Sequence, residues 1–292
     1  MPARFAFASP GRPIVLEVTA EDGQTANEGE SLVAALAELL PEWRVTPTGE
    51  EPTIRVARHQ SRFTFDYPGL PEGPVSMVGL RLAADALAAA LTTSLAQQDD
   101  RWLQAHAAAI SLPRGYLLLY GDSLSGKSSL ASIASFLGAP VVSDDRLVIE
   151  VPIEGQPTGI ALGAAPRLRQ PLPADFGADF QDFAAHHTGR REGQVALLKL
   201  ARPTEQVAAG ERDRLLALIA LERRAEGAIE LSPMGQGLAL KRLYGAFAAP
   251  HLAAEAMTRR LHKLVRRVPA HSLVFSRSRD AAALLIERFG RA

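Results

Sequence analysis

Gly121-Asp122-Ser123-Leu124-Ser125-Gly126-Lys127-Ser128 fits the pattern G-x-x-x-x-G-K-[ST], whose chemistry is the holding of phosphate groups. Glycines let backbone N–H groups turn inward around an anion, a following helix N-terminus adds positive potential, and Lys127 reaches the outer phosphates. Ser128 is then placed to hold Mg²⁺ beside a nucleotide, with Ser129 behind it. Only four of the 32 basic residues are lysines, namely Lys127, Lys199, Lys241 and Lys263. In this composition the pattern arises by chance in roughly a few chains per thousand. The competing reading is a glycine-rich turn that merely starts a helix.

Ser143-Asp144-Asp145-Arg146 supplies a second group of reactive side chains. It follows the apolar stretch Pro140-Val141-Val142, so the carboxylates stand at the carboxyl end of a strand, where α/β sheets place their ligands. Of two adjacent carboxylates, one can hold the metal while the other accepts a proton from an attacking hydroxyl or water. Without the upstream motif the pair would read as a solvated turn. Arg167 and Arg169 sit two apart, so an extended segment turns both to one side. His186-His187 precedes Arg190-Arg191; with no cysteine and no carboxylate at useful spacing, zinc is not expected there.

The elements around these residues follow from apolar periodicity. Gly115 to Tyr120 predicts a strand running into the glycine-rich loop, and Lys127 to Leu137 a helix running out, with Leu130, Ile133, Ala134 and Leu137 on one face. His106 to Leu112 predicts the preceding strand. Upstream, Pro13–Val18, Thr53–Ala57 and Arg62–Tyr67 read as strands, with a helix over Glu30–Leu40 stopped by Pro41. The expected organisation is a small α+β domain over residues 1–75, a linker at Pro68–Pro74, an alanine-rich connecting helix within 76–102, and an α/β nucleotide-binding domain over 103–292. Gly155 to Gly193 carries no long element and is expected to contact substrate. Further on, Leu215–Leu221 reads as a buried strand, Pro233–Phe247 and His251–Arg267 as helices, and His271–Ser276 with Asp280–Phe289 as a closing strand and helix. Arg259, Arg260, Arg266 and Arg267 mark a polar face of the basic helix.

With 292 residues, 47% of them hydrophobic, the chain can build a sizeable core. Charge balances at 32 against 32, which argues against a nucleic-acid or membrane-surface partner. The absence of cysteine removes disulfides and thiolate chemistry and agrees with a cytoplasmic setting. Met1 to Pro13 lacks the order of a signal peptide, and the apolar stretch Leu80–Ala96 is interrupted by Arg81 and Asp85, so it reads as a core helix.

A His-bearing strand, a loop of the form G-D-S-x-x-G-K-S about fifteen residues on, and an apolar-Ser-Asp-Asp strand end resemble the HPr kinase/phosphorylase superfamily. The chain is most similar to the diverged HPr kinase-related proteins, which include lasso-peptide precursor kinases. The resemblance covers residues 103–150 and extends weakly through Gly163–Arg169 and the terminal strand and helix. It implies a P-loop kinase core related to HPr kinase and phosphoenolpyruvate carboxykinase, and transfer of the γ-phosphoryl group of ATP to a serine hydroxyl. By position, Gly121 to Ser129 would bind the nucleotide and Lys127 its phosphates. Ser128 and one aspartate would organise Mg²⁺, the other aspartate would be the base, and His106 would support the pair. The sequence does not separate Asp144 from Asp145 by role, with a lean towards Asp144 as the base; Arg167 and Arg169 are expected to contact nucleotide or substrate phosphate. Leu124 stands where the loop commonly has glycine, and Ser129 where the family has glutamate. The proline-glycine-arginine stretch tied to phosphorolysis and HPr docking has no counterpart, so neither is expected.

The sequence therefore predicts an ATP- and Mg-dependent kinase acting on a peptide or small protein. An ATPase or nucleotide-gated binding module, and a small-molecule kinase, are the alternatives. ATP against GTP stays open, as does the oligomeric state, for which the resemblance allows a homo-oligomer.

Overall fold

The computed structural model describes residues 2–20, 25–70 and 73–291. The chain forms two compact units, Met1–Trp102 with Ala249–Ala253 and Leu103–Ala248 with Ala254–Ala292. The described residues form a mixed α/β structure with three sheets.

The first unit contains β1 (Ala3–Phe7), β2 (Ile14–Ala20), α1 (Thr25–Ala37), β3 (Val45–Pro47), β4 (Ile54–His59), β5 (Arg62–Asp66), β6 (Val75–Val78) and α2 (Leu80–Ala96). Its strands form one sheet in the order β3-β1-β2-β4-β5-β6. Only β2 and β4 run parallel, because α1 crosses between them; the other neighbours are antiparallel. Alternation drives the pattern: in β4 Ile54 and Val56 are buried while Arg55 and Ala57 are exposed. The helices pack on each other, and Leu32, Leu36, Leu87, Leu91 and Leu95 are buried. The first helix begins and ends earlier than Glu30–Leu40, and β1, β3 and β6 had no signal in the sequence. Pro71 and Glu72 of the expected linker lie outside the described residues.

The second unit follows with β7 (Trp102–Ala105), β8 (Ala108–Leu112), β9 (Gly115–Tyr120), α3 (Lys127–Phe136), β10 (Val141–Ser143), β11 (Leu147–Glu150), β12 (Thr158–Ile160) and β13 (Arg167–Arg169). After a 3₁₀ turn at Ala174–Phe176 come α4 (Ala178–His186), β14 (Thr188–Glu192), β15 (Val195–Leu198), β16 (Arg212–Arg223), β17 (Glu230–Pro233), α5 (Gln236–Leu243), β18 (Phe247–Ala248), α6 (Ala254–Arg267), β19 (Ala270–Phe275) and α7 (Ser278–Gly290). The main sheet runs β10-β8-β9-β16-β12-β11-β7-β18, with β19 also beside β16 and β17 beside β19. The long β16 serves two neighbours in turn: Arg212–Arg214 pair with β12, and Leu218–Arg223 with β19.

The centre of this sheet is parallel, β9 against β16 and β16 against β19. Strands covered on both faces read as continuous apolar runs, and every residue of β9 is buried. Helices α3 and α7 pack together on this sheet, and Leu130, Ile133, Ala281, Ala282 and Leu285 share one core with Leu117, Leu119 and Ile219.

Three sequence expectations change. The stretch His106–Leu112 is not one strand: β7 ends at Ala105, β8 starts at Ala108, and His106 lies between them. Gly155–Gly193, which showed no long element in sequence, holds the short elements β12, β13, α4 and β14, with Phe176 and Phe180 buried and packed edge to face. Pro233–Phe247 holds a short helix between two strands. Arg260 and Arg267 of α6 donate to the carbonyls of Val151, Pro152 and Ile153, so part of the basic face fastens a loop. No helix among the described residues is long and apolar enough to cross a membrane.

Candidate active site

Strand direction brings the reactive residues together. β9 and β10 both pair antiparallel with β8, so their carboxyl ends lie at the edge where β8 begins. The loop 121–128 leaves the end of β9, Asp144 and Asp145 follow β10, and His106 stands two residues before β8. Three segments far apart in sequence thus meet at one sheet edge.

The loop itself is held by close backbone approach. Gly126 has φ +96, and a Cβ there would stand 3.1 Å from the Phe275 ring. A Cβ on Gly121 would stand 2.9 Å from both the Leu221 carbonyl and Ser125 Oγ. Leu124, where the resemblance led us to expect glycine, takes φ +69 with its side chain in solvent. A non-glycine residue in the left-handed region costs on the order of 1 kcal/mol, and such residues cluster at ligand sites. Among the described residues no side chain caps α3, so its first N–H groups face the mouth of the loop.

Lys127 is 8% exposed, and its Nζ donates to the carbonyls of Gly121 (2.8 Å) and Asp122 (3.0 Å). Burial pushes its ammonium below the ordinary value, while the charges of Asp145, Asp144 and Asp122 oppose that. Ser128 Oγ donates to Asp144 Oδ1 at 2.9 Å. The other oxygen of Asp144 accepts the backbone N–H of Arg167 at 2.9 Å. Asp144 is 2% exposed, and desolvation lifts its carboxyl to about 6 despite those two hydrogen bonds.

Asp145 has the opposite environment. It sits at φ +66 in a tight turn closed by the Arg146 N–H on the Asp144 carbonyl. Its Oδ1 is 3.0 Å from His106 Nδ1 and its Oδ2 is 3.7 Å from Arg146 Nη2, with about a third of the side chain exposed. Burial would raise this carboxyl, but the hydrogen bond from His106 and the charges of Arg146, His106 and Arg167 together hold it down at about 2. Arg167 adds positive potential at both carboxylates.

Lys127, Ser128, Asp144, Asp145, His106 and Arg167 therefore converge. Arg169 is exposed on the same strand as Arg167, and among the described residues no side-chain hydrogen bond ties it or Ser129 to this group. Arg146 belongs to the site although its sequence position beside the carboxylates was its only signal. Phe275, which closes on Gly126, had none. His187 pairs with Glu205 at 3.1 Å and with the Phe183 carbonyl, and no three His, Asp or Glu side chains among the described residues gather as a metal cage. The Ser128–Asp144 pair fits Mg²⁺ held jointly with phosphate oxygens: a hydroxyl and a buried carboxylate are already aligned beside an uncapped helix end.

No protein-family model and no curated protein matches the sequence. Among solved structures, the chain is similar to the Hpr(Ser) kinase/phosphatase from Coxiella burnetii. The two are 14% identical, the match covers 64% of this chain and 92% of that one, and the TM-score is 0.33. A likeness that distant assigns no activity to this chain.

Proposed function

We propose that the second unit is a P-loop phosphotransferase that moves the γ-phosphoryl group of ATP to a hydroxyl, the acceptor being a serine of a peptide or small protein. The observation that carries this reading is the Ser128–Asp144 hydrogen bond with the Asp145–His106 pair beside it, at the mouth of a glycine-rich loop. A solvated Asp-Asp turn would leave both carboxylates equivalent, whereas here each has its own partners. When bound, Mg²⁺ would neutralise charge on the phosphates, with Ser128 and Asp144 as its protein ligands.

The chain's own residues divide the remaining work. Lys127 exchanges its two loop carbonyls for phosphate oxygens, and the N–H groups at the start of α3 hold the same charge without reorganising. Asp144, with both oxygens engaged and almost no exposure, is poorly placed to meet an acceptor. Asp145 is reachable, ionised and paired to His106, so this pair receives the proton as the acceptor oxygen bonds to the γ-phosphorus and ADP leaves. On this reading the base is Asp145, where the sequence had left the two aspartates open with a lean towards Asp144. Arg146 and Arg167 balance the charge that builds between the two carboxylates.

Incubating the protein with Mg²⁺, γ-labelled ATP and serine-containing peptides, and locating the label by mass spectrometry, tests the reading. Label on a peptide serine, lost in Lys127→Ala, is expected. Label released only as free phosphate would make the protein an ATPase and overturn side-chain transfer.

A further inference from the structure

If the loop 121–128 holds the phosphates, the bound nucleotide has a direction along the sheet edge. The outer phosphate must meet Ser128 and Asp144, which lie on the β8–β10 side of β9. The rest of the molecule then leads away from Asp145 and His106, across the ends of β16 and β19 on the other side. A cavity of about 770 Å³ opens there, formed by Arg223 at the end of β16, the segment Gly227–Ile229, and Ser276, Arg277 and Asp280 at the junction of β19 and α7. The loop touches the strands that lead into it: Gly121 abuts the Leu221 carbonyl, two residues before Arg223, and Gly126 abuts the Phe275 ring, one residue before Ser276.

The chemistry of the walls selects among ligands. Arg223, Arg224 and Arg277 are matched by Asp175, Glu226 and Asp280, so the cavity carries no net charge to attract a second anion. Arg224 is already paired with Glu222 at 2.9 Å. Arg223 and Arg277 are exposed guanidinium planes of the kind that stack on heteroaromatic rings. The carboxylates can accept hydrogen bonds from ribose hydroxyls, and Ala228 and Ile229 provide an apolar floor. The volume lies within the range of about 300–1,000 Å³ usual for small-molecule sites. We infer that this cavity takes the nucleoside half of the nucleotide, its base against Arg277 and Arg223 and its ribose against Asp280 or Glu226. The inference rests on the phosphate-loop reading and adds to it a second recognition site that carries no net charge. The acceptor is thereby confined to the Asp145–His106 side.

Calorimetric titration of the full-length protein separates the two. Mg-ADP carries both halves of the ligand, and Mg-tripolyphosphate only the charged one. Ala228→Trp and Arg277→Ala should each weaken Mg-ADP about tenfold or more while leaving Mg-tripolyphosphate within about twofold, and Lys127→Ala should weaken both. Unchanged Mg-ADP affinity in Ala228→Trp and Arg277→Ala would overturn the nucleoside site and leave the phosphate loop standing. Unchanged affinity for both ligands in Lys127→Ala would overturn the loop reading and this inference with it. Arg277 is an exposed side chain outside the core, so its truncation serves as the readout if the larger Trp disturbs the fold.

Discussion

Asp144 and Asp145 are neighbours in sequence with opposite electrostatic surroundings, and the difference is measurable. Burial lifts Asp144 to about 6 from 3.8, so the folded chain holds that proton more tightly than the unfolded chain. The folded protein without nucleotide therefore loses stability as pH rises from about 4 to about 6, by up to about 3 kcal/mol. Asp144→Asn should consequently raise the melting temperature of the nucleotide-free protein while weakening Mg-ATP about tenfold or more. A lowered melting temperature with unchanged binding would contradict the metal role. Mg-ATP affinity of the wild type should fall as pH drops below about 6, because the metal must displace the proton. Asp145 is held at about 2, and its contribution is present above about 4 and lost as pH falls through about 2. Asp145→Asn should lower the transfer rate by about 10²–10⁴-fold with Mg-ATP affinity within about threefold. Single-turnover kinetics beside calorimetry would separate these effects, and equal losses in rate and affinity would contradict the base assignment.

At the scale of elements, β9, the glycine-rich loop and α3 act as one device, and it was readable from sequence because each part carries its own local signal. β9 is a continuous apolar run, Gly126 is the residue whose backbone must turn left-handed against Phe275, and Leu130 and Ile133 recur at helical spacing. What was not readable came from pairing between distant segments. His106 looked like the first residue of a strand, yet the β10–β8–β9 pairing sets it in the gap before β8, where it reaches Asp145. Asp144 could not be told from Asp145, because the Arg167 N–H that engages one of them arrives from β13. Gly126→Ala tests the device directly. Its methyl would meet Phe275 at 3.1 Å in a backbone conformation unfavourable for alanine, so a loss of about 1–3 kcal/mol is expected together with weakened Mg-ATP. Chemical denaturation measures the first and calorimetry the second; a neutral substitution would contradict the close-approach account.

For the whole molecule, the proposed nucleotide contacts all lie in the second of the two compact units. Mg-ADP at about 100 times its Kd should stabilise that unit by about 2.7 kcal/mol. Hydrogen exchange should report this as slower exchange in β9, α3, β10 and the start of β16's downstream loop, with little change in β1–β6; protection confined to the first unit would contradict the assignment. The first unit shows where sequence reading stops. β4 and β5 announced themselves by alternation and β2 by the apolar run Ile14-Val15-Leu16, whereas β1, with Ala3, Arg4 and Ala6, and the three-residue β3 owe their place to the neighbours they pair with. The elements within 155–193 gave no signal in sequence because its strands are short and its apolar residues, Phe176 and Phe180 among them, are buried by tertiary packing with no periodic pattern. Titration of the wild-type protein with ATP, with and without Mg²⁺ and in parallel with Ser128→Ala, tests the central claim most directly. The account predicts binding that requires Mg²⁺ and weakens about tenfold or more in the variant. No binding by the wild type, or binding indifferent to both Mg²⁺ and Ser128, would contradict it.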